Sequence, residues 1–230
     1  MGTPNSKFVF SFEEGDAKNK KLLGGKGANL CGMTQIGLPV PPGFVISTEA
    51  CLTYLRQSKK GLNAALMEEV RAAMKELEKK TGKGFGDPDR PLLVSVRSGA
   101  AMSMPGMMDT ILNLGLNQAT LGGLIKMTGN KRFAYDAYRR LIQLFASVAL
   151  GMKDEDFDDI FRKIKDKYKA KDDIALDADA LGEACDKFSE LIQKKTKKPF
   201  PDDPYVQLEI AIEAVFRSWT GKRAVDYRRE

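Results

Sequence analysis

No proline falls between Asn117 and Lys198, although the chain has ten. Proline removes a backbone donor and clashes with the preceding helical turn, so a proline-free run of this length can be helical throughout. Apolar residues recur there at spacings of three and four. One set is Phe133, Ala137, Leu141, Leu144 and Val148; a second is Phe157, Ile160, Phe161, Ile164 and Tyr168; a third is Leu181, Phe188, Leu191 and Ile192. That period predicts amphipathic helices and no strand. Pro199-Phe200-Pro201 closes the run. Asp203-Pro204 reads as an N-cap and first helical residue, opening a helix that buries Leu208, Ala211, Ile212, Val215, Phe216 and Trp219.

The first 116 residues are organised differently. Phe8–Phe12 and Phe44–Ile46 are β-prone runs, the second led in by the rigid Pro39-Val40-Pro41-Pro42-Gly43. Leu22-Leu23-Gly24-Gly25-Lys26-Gly27 is a glycine-rich turn feeding a helix, with Leu30, Met33 and Ile36 as its apolar face and Gly37 at its end. Ser47 or Thr48 caps a short helix from Glu49, and Leu62, Leu66, Val70, Met74 and Leu77 mark a longer one as core packing. Glycines and Pro88 break the chain before a strand at Leu92–Val96. The expected fold class is α+β. A lobe of helices around a small mixed sheet, 1–116 with 201–230, carries an all-helical subdomain at 117–200.

Histidine is absent from all 230 residues. That removes imidazole acid–base chemistry, histidine metal ligation and any phosphohistidine intermediate from this chain. The charge is mixed, 37 Lys+Arg against 31 Asp+Glu for a net +6. It suits a polyanionic small molecule, and no dense basic face with interleaved aromatics suggests nucleic acid. Cys31, Cys51 and Cys185 have no metal spacing and read as buried thiols of a reducing compartment. No metal site is expected within the chain. No apolar run is long enough to span a membrane, and without a signal-type leader the expected location is the cytoplasm.

Two stretches carry ligand chemistry. The Leu92–Val96 strand delivers Arg97, a fixed guanidinium fork suited to phosphate oxygens, into the small residues Ser98, Gly99, Ala100, Ala101 and Ser103, whose backbone N–H groups are open to an anion. The apolar Met102, Met104, Met107 and Met108 that follow must fold back on the body or cover a ligand. Lys26, inside the glycine turn at a helix start, is the second phosphate-type candidate. Its sequence is not a Walker A loop, because Gly27 stands where Ser or Thr is required. Close helix–strand packing explains the glycines of this turn equally well.

In chain order, LLGGKGANL, GLPVPPGFVIST, LLVSVRSGAAMSMPGMMDTILNLGLN, RFAYDAYRR, FRSW and YRR resemble the N-terminal part of the pyruvate phosphate dikinase family. The resemblance runs from about Phe8 to Arg229 and is most specific in SVRSGAAMSMPGMMDT. It implies an ATP-grasp-type first lobe with an inserted helical subdomain. It also implies a family reaction that turns ATP, phosphate and pyruvate into AMP, pyrophosphate and phosphoenolpyruvate. Lys26 matches a lysine on the ATP phosphates, and Arg97 an arginine that binds and polarises the transferred phosphates. Ser98–Met107 matches the small-residue loop over the triphosphate. Arg223 matches a docking surface for the phosphohistidine domain, or is a plain helix-end arginine.

The resemblance places Mg-ATP at the site, with the magnesium acids in a second ATP-grasp lobe beyond Glu230. The phosphohistidine domain and the pyruvate barrel are expected as further partners outside this sequence. The stop at Glu230 without a wind-down reads as a cut inside a larger design, so the isolated chain is expected to lack full catalysis. Two alternatives stand beside this reading: a non-catalytic nucleotide- or partner-binding module, and a phosphoenolpyruvate-synthase-type fragment, which the Met-rich loop disfavours.

Overall fold

The computed structural model describes residues 7–57, 61–99 and 109–227, the side chains of 222, 223 and 227 excepted. Helices dominate and the strands are short, a mixed α+β architecture. In order, the elements are β1 (Val9–Ser11), α1 (Lys20–Gln35), β2 (Phe44–Ile46), α2 (Thr48–Arg56), α3 (Ala64–Thr81), β3 (Val94–Arg97) and β4 (Thr110–Leu114). They continue through α4 (Gln118–Thr128), α5 (Lys131–Leu150), α6 (Asp154–Lys167), α7 (Ala178–Thr196), α8 (Pro204–Ser218) and α9 (Lys222–Tyr227). The single small mixed sheet expected from sequence is corrected: among the described residues, strands pair two by two, β1 with β2 and β3 with β4. Strands of three to five residues find one partner each.

The chain divides into two compact units, one of residues 1–82, 97–109 and 215–230, the other of 83–96 and 110–214. In the first, β1 and β2 run antiparallel with Val9 opposite Ile46 and Ser11 opposite Phe44. Glu69 of α3 accepts the Phe8 and Val9 N–H groups at 2.8 and 2.9 Å, so a carboxylate closes the free start of β1. Ser47 caps α2 by accepting the Ala50 N–H, as its position before the helix implies. Leu66, Met67, Val70, Met74 and Leu77 are the buried face of α3. Phe216 stacks on Tyr54 of α2 with ring centres 5.6 Å apart.

In the second unit α5 is central, in contact with β4, α4, α6 and α7. Its buried face is Ala134, Ala137, Tyr138, Leu141, Ile142, Phe145 and Ala146. Phe133, expected inside, is 49% exposed. With neighbours on several sides the apolar stripe widens: of the other four residues that the period singled out, Ala137 and Leu141 are buried and Leu144 and Val148 half-buried. Phe200 is buried between Tyr138 and Phe145, which explains an aromatic between two prolines.

A buried polar knot joins the two ends of the helical run. Gln207 of α8, 0% exposed, accepts the Gly115 N–H at 3.0 Å and donates to the Leu116 and Pro201 carbonyls at 3.0 and 2.8 Å. Asn117 donates to the Asp202 carbonyl at 2.7 Å and forms a reciprocal capping box with Thr120 at the start of α4. Each buried polar atom here has a partner, which such burial demands.

Candidate functional site

The glycine-rich turn and the exit of β3 both belong to the first compact unit. Asn19 caps the start of α1 by accepting the Leu22 N–H at 3.0 Å. Thr48 donates to the Lys21 carbonyl at 2.6 Å and holds that first turn against α2. At Gly24 the backbone leaves helical geometry, with φ 69° and ψ 163°, and the helix starts again from Gly25. A restarted helix brings the positive end of its dipole to the turn. So the turn anticipated in the sequence is a kink within one helix, and it still creates an N-terminus.

Tight packing and anion geometry fall to different glycines. A methyl group on Gly27 would stand 2.8 Å from a Val45 methyl, so Gly27 lets α1 lie directly on β2. A methyl on Gly24 would stand 2.9 Å from the Gly99 carbonyl oxygen and 3.0 Å from its carbon. A methyl on Gly99 would in turn lie 3.6 Å from Lys26 Cβ and 3.9 Å from the backbone nitrogens of Lys26 and Gly27. The segment leaving β3 therefore lies backbone-to-backbone on the restarted helix. Leu23, Ala28 and Cys31 are the buried apolar residues of α1, and Leu22 and Leu30 pack against them. Ile36, expected on that face, is 75% exposed.

Of the residues expected at a site, Lys26 and Arg97 are exposed, Ser98 is buried and Gly99 half-buried. Among the described residues, neither Lys26 nor Arg97 is in an ion pair, so both charges are available to a ligand. The structure brings Lys26 and Gly99 together. Ala100, Ala101 and Ser103, with the methionines after them, lie outside the described residues. Arg223 stands in α9, and its side chain lies outside them too. Gly24 is the residue that sequence reasoning did not single out; two adjacent glycines carry no sign of which one takes the positive φ.

Burial pushes the Cys31 thiol, beneath this turn, above its ordinary value, which keeps it protonated and unsuited to act as a nucleophile. Among the described residues no group of three or more Cys, Asp or Glu side chains could hold a metal ion. No helix among them is long and apolar enough to cross a membrane. Among the described residues the arrangement sets an exposed lysine beside the β3 exit that carries an exposed arginine, and positive charge of this kind suits an anion.

Comparison with known proteins gives the chain a family. The family described as pyruvate phosphate dikinase, AMP/ATP-binding domain, matches residues 20–68 and 59–230. Pyruvate, phosphate dikinase of Entamoeba histolytica is 59% identical over 222 residues, spanning 96% of this chain and 25% of that protein. The same enzyme of Giardia intestinalis is 51% identical over 91% of this chain and 23% of its own length; that of Clostridium symbiosum is 47% identical over 97% and 26%. This sequence thus spans about a quarter of the length of the curated relatives it matches. With the family matched across both the glycine turn and the β3 exit, the chain belongs to the pyruvate phosphate dikinase AMP/ATP-binding domain family.

Proposed function

We propose that this chain holds the phosphate chain of ATP for a pyruvate phosphate dikinase, as one lobe of an ATP-grasp clamp. The observation that carries the reading is the contact of Gly99 with Gly24 and Lys26, which sets the β3 exit onto a helix N-terminus beside an exposed lysine. Lys26 and the N–H groups of Lys26 and Gly27 would bind phosphate oxygens. Arg97 would bind and polarise the transferred group by its charge, and Ser98, Gly99, Ala100, Ala101 and Ser103 would line the phosphates. Phosphoryl transfer depends on positioning and charge stabilisation more than on a reactive side chain, and these parts supply both.

The described residues do not fit a magnesium site, since they hold no acidic cluster. The metal is proposed to be held by a second lobe, and the histidine that carries the phosphoryl group by another domain, with pyruvate handled elsewhere again. Full turnover from ATP, phosphate and pyruvate belongs to that larger assembly, with Arg223 on the docking face of the phosphohistidine domain. The topological division is part of the same proposal, a lobe of 1–116 and 201–230 with an insert at 117–200. The knot through Gln207 and Asn117 supports it, because an insert must leave and return at one place. A cytoplasmic location also belongs to the proposal; three free thiols suit a reducing compartment.

Calorimetric titration of Mg-ATP into the chain, beside Lys26→Ala and Arg97→Ala, tests the reading. Losing a charged hydrogen-bond donor to phosphate costs about 1.5–3 kcal/mol, so each variant should bind roughly ten- to a hundredfold more weakly. Equal affinity in all three would remove the site from this lobe.

A further inference from the structure

Gly24 is buried in a backbone conformation that side chains rarely adopt, and its neighbour across the gap is backbone, the carbonyl of Gly99. A flexible side chain could give way there; a peptide cannot without moving the β3 exit with it. Packing of α1 on the sheet does not require Gly24, because Gly27 already makes the close approach to Val45. Ser98, one residue before the contact, is buried, while Arg97 before it is exposed. The β3 exit is thus pinned at 98–99 with its charged residue left free.

We propose that Gly24 and Gly99 are a positioning pair: their backbone contact makes the glycine turn and the Arg97–Gly99 segment bind one phosphate group as a single unit. This rests on the phosphate-binding reading above and specifies how its two halves are joined. Without the contact, the helix N-terminus and Arg97 would be two weak, independent anion sites. With it, the cost of ordering one segment is shared by both, and each phosphate oxygen meets donors that are already in place. Neither glycine offers a side chain to the ligand; each acts through Lys26, Arg97 and the N–H groups around them.

The experiment is a tripolyphosphate titration of the isotopically labelled chain followed by amide resonances. In the wild type, the amides of Gly25–Gly27 and Arg97–Gly99 should shift together along one binding curve. Gly24→Ala should lower the melting temperature by several degrees and uncouple the two segments. The Arg97–Gly99 response should then weaken by about tenfold or more while the Gly25–Gly27 response persists. Gly99→Ala guards against a Gly24 variant that fails to fold. Its methyl meets only ordinary van der Waals neighbours, so melting should be unchanged. The same methyl stands over the Lys26 and Gly27 nitrogens, so tripolyphosphate affinity should fall by about tenfold. A wild type in which only one segment shifts, or in which the two follow different curves, overturns the pairing and leaves the phosphate site standing. Variants that bind as the wild type does also overturn it. A wild type in which neither segment responds to tripolyphosphate or Mg-ATP overturns both.

Discussion

Gly24, Gly25 and Gly27 sit within four positions and do unlike work: one turns the chain under Gly99, one is half-exposed, one admits Val45. The sequence shows three missing side chains and cannot show what fills each space. Lys26 and Arg97 were legible as phosphate candidates, because a cation beside small residues is a local pattern; Gly24 was not. Of the three cysteines expected to be buried, Cys31 and Cys185 are buried and Cys51 is half-buried. Burial pushes the thiols of Cys51 and Cys185 up to about 12 and carries the Tyr138 phenol in the same direction. An unfolded thiol titrates near about 8.5, so the folded chain holds these protons more tightly than the unfolded one. The resulting stability is complete below that value and is lost as pH rises toward about 12. Melting temperature should therefore decline above about pH 9, and Cys51→Ala with Cys185→Ala should flatten the decline. A slope that the double substitution leaves unchanged would assign it to other groups.

At the scale of elements, periodicity located the helices and misjudged two of their faces. Ile36 falls off the face of α1 because it is the residue that caps the helix C-terminus, and the face of α5 widens because several elements pack on it. β4, α9 and the individual helix α4 were not marked from sequence, β4 because a five-residue strand beside a long glycine- and methionine-rich segment has little local pattern. The α5–α6 pair contains an ion pair that no periodicity marks. Arg139, buried, donates to Asp136 at 2.8 Å and to Gln143 at 3.2 Å, with its guanidinium 4.4 Å from the centre of the Phe161 ring. Burial pushes the Asp136 carboxyl upward, but Arg139 and then Arg140 outweigh it and leave the group below its usual range. Its contribution to stability is present above the unfolded carboxyl value of about pH 4 and lost as pH falls below it. Arg139→Ala should destabilise the chain by about 3 kcal/mol in urea, with Arg139→Lys restoring little because a point charge cannot replace the planar fork. A loss under about 1 kcal/mol would mean that Arg140 holds Asp136 unaided.

For the whole molecule, the compact units do not divide where the composition changes. The helical run was read from 117, yet β4, with Ile111 and Leu114 fully buried, belongs with the helices because α5 packs on it. Leu116 and Gln207 are likewise enclosed in that second unit. Residues 83–214 expressed alone should melt cooperatively and retain the α5–α7 helices by circular dichroism, whereas 117–200 alone should melt at lower temperature and less sharply. The shorter piece lacks both halves of the Gln207 knot and the strand that α5 covers. Equal melting of the two pieces would show that the helical run forms its own core.

Much of this protein is written in adjacent residues. Helix positions follow from apolar spacing, caps from Ser47 and Asp203, and the family from a specific run around Arg97. These depend on neighbours within a few positions, so the sequence contains them directly. The pairing of strands two by two, the meeting of Gly24 with Gly99, and the enclosure of Gln207 belong to the tertiary structure alone. Each joins residues far apart in the chain, and its energy exists only once both partners are placed and the water between them is gone.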